Sequence, residues 1–209
     1  MKLYTISGLG ADERVFKNLD VNADLVHLNW IEPIKNEKLT SYASRLSVSI
    51  DTSESFGLLG LSFGGLVAIE MSKILKPKLT ILISSVELRE EMPLMYRLLG
   101  RTGFLKLVPS ALFRMPTFIA SWLFGTKQKK LLALILKEAE LSFYKWAIIA
   151  LVTWDNSTRI DNCHKIVGEK DRMLPPVVNN ESVMIPNGHH FMILDKAQEV
   201  SQVINEKIK

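Results

Sequence analysis

The sequence predicts an α/β protein: a mostly parallel sheet with helices on both faces and a helical insertion over one edge. Three observations carry this. Short runs such as Phe56–Leu61 (FGLLGL) and residues 79–84 (LTILIS) are apolar throughout or nearly so, as strands buried on both faces of a parallel sheet are. These runs alternate with segments whose apolar residues recur at helical spacing, the mark of βαβ units. The alternation lapses between residues 87 and 156 and resumes at Cys163.

Residues 2–7 read as the first strand, which stops at Gly8-Leu9-Gly10. Val15, Phe16 and Leu19 then fall at helical spacing and predict a short helix over 11–19. A second strand is expected over 25–30, closed by Glu32-Pro33, and Leu39, Tyr42, Leu46 and Ile50 predict an amphipathic helix over 38–50. The strand Phe56–Leu61 leads through glycines into a helix over 66–75, which Pro77 ends. Residues 87–156 hold only helical patterns with large apolar side chains, among them Met92, Met95, Phe118 and Trp122. The last strands fall at Cys163–Gly168 and Ser182–Ile185, before a final helix over 194–208. The expected organisation is one α/β core, 1–86 with 157–209, and one helical cap, 87–156, inserted in it.

A chain of 209 residues, 47% apolar and 23% charged, is long enough for one globular domain with a sizeable core. The net charge of +4 comes from scattered Lys and Arg, and the cluster Lys127-Gln128-Lys129-Lys130 has no interleaved aromatics. It reads as a solvated helix start, and no nucleic-acid partner is expected. One cysteine, Cys163, excludes an intrachain disulfide and a cysteine-based zinc site. The opening MKLYTISGLG has one lysine and too short an apolar run for a signal peptide. The apolar run at 146–154 falls well short of the roughly 20 residues that span a bilayer. A cytoplasmic protein without stable membrane insertion is the expectation.

The segment Gly60-Leu61-Ser62-Phe63-Gly64 fits G-x-S-x-G, in which a serine is presented on a sharp strand-to-helix turn. Glycines on either side remove the Cβ atoms that would collide across such a turn. A chance match in a chain of this length has odds of roughly one in fifteen, but here the motif also sits between an apolar strand and an amphipathic helix. A serine needs a base, and the base needs an orienting acid. The chain order for this turn is serine, then acid, then histidine, the last two on loops after late strands. Lys165 to Arg172 offers a strand, a glycine and then Asp171, while Met184 to Phe191 offers a strand, a turn and the pair His189-His190.

Glu169, Glu87 and Asp155 compete for the acid. Asp171 is preferred because Glu169 is still leaving the strand, and Asp155 comes before the next strand begins. His190 is preferred over His189 because it directly precedes the apolar run Phe191 to Leu194, where the chain enters the core. His27 and His164 lie in or beside strands and read as structural. For an oxyanion the expected donors are the backbone N–H groups of Phe63 and, from the loop after the first strand, Leu9. That loop lacks the later glycines of a nucleotide-phosphate turn, with Asp12 and Glu13 in their place.

Across essentially its full length the chain resembles the α/β-hydrolase superfamily. The matching segments are ISGLGADERVF at 6–16, LLGLSFGG at 58–65, IVGEKDRMLPP at 166–176 and GHHFMILDKAQEV at 188–200. The resemblance implies a triad of Ser62, Asp171 and His190, the last by alignment of its C-terminal segment. It also implies a cap that governs specificity. Two departures stand out: the antiparallel hairpin that usually precedes the oxyanion strand is missing, and Ser7-Gly8 replaces the usual His-Gly. The expected activity is hydrolysis of a carboxylic ester or thioester through an acyl-enzyme, with no metal or organic cofactor. The expected partner is a small-molecule substrate with an apolar acyl group. Rival readings are other chemistry on the same scaffold (C–C bond or amide hydrolysis, perhydrolysis) and a non-catalytic binding protein.

Overall fold

The computed structural model describes residues 1–209. Six strands form one sheet: β1 (Lys2–Ile6), β2 (Asp24–His27), β3 (Phe56–Leu61), β4 (Leu79–Ile83), β5 (Cys163–Gly168) and β6 (Ser182–Ile185). Their order is β2-β1-β3-β4-β5-β6 and every ladder is parallel. The order reverses between β1 and β3, so the loops after these two strands diverge and leave a crevice at their carboxyl ends. Register places Ile6 beside Gly60, which brings the Gly8-Leu9-Gly10 loop next to the serine turn.

The sheet is covered on both faces, as the apolar central strands β3 and β4 require. On one side α1 (Leu39–Ser47) and α2 (Phe63–Leu75) bury Tyr42, Leu46, Leu66 and Ile69 against Tyr4, Leu58 and Leu82. On the other, α7 (Met192–Asp195) and α8 (Ala197–Lys207) bury Ile193, Val200 and Ile204 against Leu3, Leu59 and Ile81. Two expected helices differ in detail. The segment after β1 forms one 3₁₀ turn, Glu13–Phe16, because the Asp12 carboxylate accepts from the Arg14 N–H two residues on and holds the chain in a turn. The last helix is broken at Lys196 (φ −132, ψ 35), which lets the single turn α7 seat Met192, Ile193 and Leu194 in the core before α8 sets off.

Between β4 and β5 the chain forms α3 (Leu94–Thr102), α4 (Thr117–Phe124), α5 (Lys129–Glu138) and α6 (Leu141–Thr153), with 3₁₀ turns at Arg89–Glu91, Phe104–Lys106 and Ser110–Phe113. α6 packs on the α1–α2 face through Phe143, Ala147 and Ala150. The indoles on or beside it add polar anchors: Trp146 donates to the Glu37 carbonyl at 2.9 Å and Trp154 to Glu70 Oε1 at 2.7 Å.

The two ends of this insertion are tied by a buried charge network. Glu87 accepts from Arg159 and from the Ile160 N–H, and its own N–H donates to Glu91 Oε2 at 2.8 Å. Glu91 Oε2 also pairs with Lys165 Nζ on β5 at 3.0 Å, with both side chains almost fully buried. Asn156 closes the ring by donating to the Glu87 carbonyl at 2.7 Å. A buried pair of this kind is far more costly to break than it is worth, since removing one partner leaves the other ion without solvent. Glu91→Ala is therefore expected to destabilise the protein by about 3–5 kcal/mol, a fall in Tm of about 10 °C measured by calorimetry. Replacing Lys165 by Met in the same chain should restore part of that loss.

Candidate active site

β3 ends at Leu61 and α2 begins at Phe63, so Ser62 alone carries the chain from strand to helix. It does so at φ 51 and ψ −118, a conformation that a residue with a side chain adopts only under strain. The turn is so tight that a Cβ on Gly60 would lie 2.5 Å from the Gly65 Cα, and one on Gly64 would overlap the carbonyl oxygens of Ile6 and Ser7. Serine is among the best helix N-caps, yet the Ser62 hydroxyl makes no capping bond to α2. It meets His190 Nε2 instead, at 2.8 Å.

The partner side chains arrive from the loops after β5 and β6. Asp171 Oδ1 accepts from the Met173 and Leu174 N–H groups at 2.9 and 3.0 Å, which fixes the carboxylate and leaves Oδ2 for His190 Nδ1 at 2.8 Å. A carboxylate only accepts, so it selects the tautomer with the proton on Nδ1 and leaves Nε2 to accept from Ser62. The side chains of His190 and Asp171 are 2% and 1% exposed, and the Phe124 ring stands edge-on to the imidazole, 5.3 Å between centroids. The end of α4 thus shields this relay from water.

The competing side chains lie elsewhere. His189 turns away, its Nδ1 paired with the Lys170 carbonyl at 3.1 Å and its ring packed on Gly125. The Glu169 carboxylate accepts from the Asn187 N–H at 2.7 Å, Glu87 belongs to the buried charge network, and Asp155 is exposed. His27 sits beside Thr5 Oγ1 at 3.2 Å, with burial lowering its pKa, and His164 pairs with Glu181 at 3.0 Å. Burial also raises the Cys163 thiol well above the ordinary range.

The loop Gly8-Leu9-Gly10 lies against the serine, with a Gly8 Cβ position 3.7 Å from Ser62 Cβ. Its closure converges on one residue: the Ala11 carbonyl accepts from Ser7 Oγ at 2.7 Å and from Trp30 Nε1 at 3.0 Å, while the Ala11 N–H donates to Gly8 O at 2.9 Å. Ser7 therefore supports the loop itself, so its replacement of a histidine leaves the loop braced. The Leu9 N–H makes no backbone hydrogen bond, and Phe63, as the first residue of α2, has no carbonyl four back in the helix to donate to. Trp30 and Phe124 were not legible as site residues, because each joins the site through a contact distant in sequence.

Ser62 and His190 open onto a cavity of about 210 Å³ in which 17 of 20 lining residues are hydrophobic. The insertion supplies most of its wall, including Leu99, Leu132, Ile135 and Ile148. Two phenols from the insertion also line it, Tyr96 and Tyr144, and burial pushes both up from the ordinary tyrosine range. The charge on Asp171 adds to the rise at Tyr96.

No family model and no curated protein sequence matches the chain. Solved structures do. A thermophilic esterase from Thermogutta terrifontis superposes at a TM-score of 0.71 with 16% identity, covering 100% of this chain and 89% of that one. A lipase-esterase related protein from Clostridium acetobutylicum gives 0.69 and 15%, over 98% and 93% of the two chains. The chain has the α/β-hydrolase fold. A type II thioesterase of the yersiniabactin biosynthetic pathway shares it at 0.64 and 16% identity, over 97% and 91%. Within the hydrolase fold Ser62, Asp171 and His190 stand at the carboxyl ends of β3, β5 and β6, where ligands bind in open α/β sheets. The steric constraint at the turn makes one firm prediction: Gly64→Ala should destabilise the fold by about 3 kcal/mol or more, read as a lowered midpoint in urea unfolding.

Proposed function

We propose that the protein is a serine hydrolase that cleaves carboxylic esters or thioesters with an apolar acyl group. The observation that carries this reading is the relay from Asp171 through His190 to a strained Ser62 at the mouth of an apolar cavity. Ser62 Oγ attacks the carbonyl carbon as His190 Nε2 takes its proton, while Asp171 holds the imidazole and stabilises the positive charge it gains. The N–H groups of Leu9 and Phe63 receive the developing oxyanion, and the field of the α2 N-terminus adds to them. His190 returns the proton to the leaving alcohol or thiol, and then takes one from the water that hydrolyses the acyl-enzyme. This chemistry requires neither metal nor organic cofactor.

The cavity sets the acyl preference. A void of about 150 Å³ suffices for a benzene-sized group, so a cavity of about 210 Å³ suits an acyl chain of roughly eight carbons by the same scaling. The esterase, lipase-related and thioesterase names carried by the structural neighbours favour the same bond types.

Labelling with a fluorophosphonate probe tests the relay. The wild type and His189→Ala should label, and Ser62→Ala and His190→Ala should not. Ester turnover by Ser62→Ala should fall by about 10⁴-fold or more with the fold intact. Labelling that survives Ser62→Ala would sink the mechanism. On p-nitrophenyl esters, kcat/KM should rise about three- to fourfold per added methylene and level off near eight carbons, once the cavity is filled.

A further inference from the structure

The charge of this chain is unevenly distributed. Residues 92–137 hold eight of its 26 Lys and Arg and none of its 22 Asp and Glu, so outside this segment a chain of net charge +4 is net negative. Seven of the eight cations are exposed, Arg97 alone being half-buried. None takes part in an ion pair, although such pairs are common on the rest of the surface. Lys129 and Lys130 even occupy the first turn of α5, where no acidic residue balances them and the helix field opposes positive charge. Their placement works against the helix rather than for it.

The same segment exposes its apolar side chains. α3 has no buried residue, and Leu94, Leu98 and Arg101 follow one another at three- and four-residue steps along its outer side, with Met95 beside them. α4 buries only Ala120, while Phe118 and Trp122 are 76% and 61% exposed. Leu107, at 82%, and Leu112 continue the pattern between these helices. A helix as apolar all round as α4 belongs in a core or in contact with lipid, and its inner residue Phe124 already lines the cavity.

We infer that the outer face of α3, α4 and the start of α5 is a docking surface for an anionic lipid bilayer. Interfacial protein segments combine Lys and Arg with Trp, Phe and Leu in this way, the apolar side chains entering the headgroup boundary and the cations meeting lipid phosphates and carboxylates. Charge and composition select this occupant. A second copy of the chain, docked by twofold symmetry, would set unpaired cations against the same cations. An acidic protein partner fits less well, since five of the eight cations are lysines, which protein interfaces deplete. No helix is long and apolar enough to cross a membrane, which leaves attachment at the interface. The cavity lies beneath the same helices, so docking would set its lining helices against the lipid.

Flotation of the full chain with vesicles tests this independently of catalysis, because Ser62→Ala should bind as the wild type does. Binding is expected to vesicles of phosphatidylcholine doped with phosphatidylserine, to weaken with added salt, and to be absent from phosphatidylcholine alone. The triple variant Arg114→Ala, Lys129→Ala, Lys130→Ala should bind roughly 100-fold more weakly, at about fivefold per cation removed. Phe118→Ser should also lose binding, and both variants should keep the wild-type Tm because these side chains are exposed and unpaired. Equal binding to both vesicle types, no binding by the wild type, or undiminished binding by the variants would overturn the proposal. So would a concentration-dependent dimer that Phe118→Ser abolishes, or capture by poly-L-glutamate without vesicle binding; these assign the face to a second copy or an acidic protein.

Discussion

The turn from β3 into α2 is the constraint around which the rest of the molecule is arranged. A residue with a side chain persists at φ 51 and ψ −118 only where its surroundings over-determine it, and here they do. β3 is buried along its whole length between β1 and β4. α2 is buried for its first ten residues. The Ser62 carbonyl is held from two sides, by the Gly65 N–H at 2.9 Å and by Ser85 Oγ at 2.7 Å. What strain Ser62 stores is thus borne by the centre of the sheet, and in exchange its hydroxyl is free of the helix it begins.

From that position the crossover geometry decides what can reach the hydroxyl. Parallel strands deliver their following loops to one edge of the sheet, so β1, β5 and β6 bring the Leu9 loop, Asp171 and His190 to the same place as Ser62. Each is then braced by neighbours of its own. Two backbone N–H groups fix one oxygen of Asp171, Phe124 covers His190, and Ser7 with Trp30 closes the Leu9 loop. The proposed chemistry asks for this rigidity, because hydrogen bonds aimed in advance need no rearrangement when charge develops.

The helical insertion contributes differently to its two surroundings. α6 packs into the core on one side and lines the cavity on another. Its aromatic residues Phe143 and Trp146 pack with Tyr42, while Phe63, the residue after the serine, touches Trp146, and Ile148 faces the cavity. The Glu87–Glu91–Lys165–Arg159 network then fixes where the insertion leaves and rejoins the sheet. α3 and α4 bury almost no side chain in the core, lining the cavity with their inner residues and leaving apolar side chains and unpaired cations outside. The same helices are therefore wall on one side and contact surface on the other.

Much of this was legible in the residues alone, for identifiable reasons. The apolar runs of β3 and β4 announced a parallel sheet, because burial on both faces leaves no polar alternation. Gly60 and Gly64 announced the turn around Ser62, because only glycine tolerates such close backbone approach. The loop positions of Asp171 and His190, which the structure places beside Ser62, were readable because each follows a strand and a turn, a local pattern. Helix limits were less legible: a local hydrogen bond from the Arg14 N–H to Asp12 shortened one helix, and the break at Lys196, which seats Met192, Ile193 and Leu194 in the core, divided another. Only the tertiary structure decided that Glu87 binds Arg159 instead of a histidine, that His189 faces Lys170, and that Trp30 and Phe124 serve the site. These outcomes depend on contacts between residues 19 to 72 positions apart, and no local pattern of sequence carries that distance.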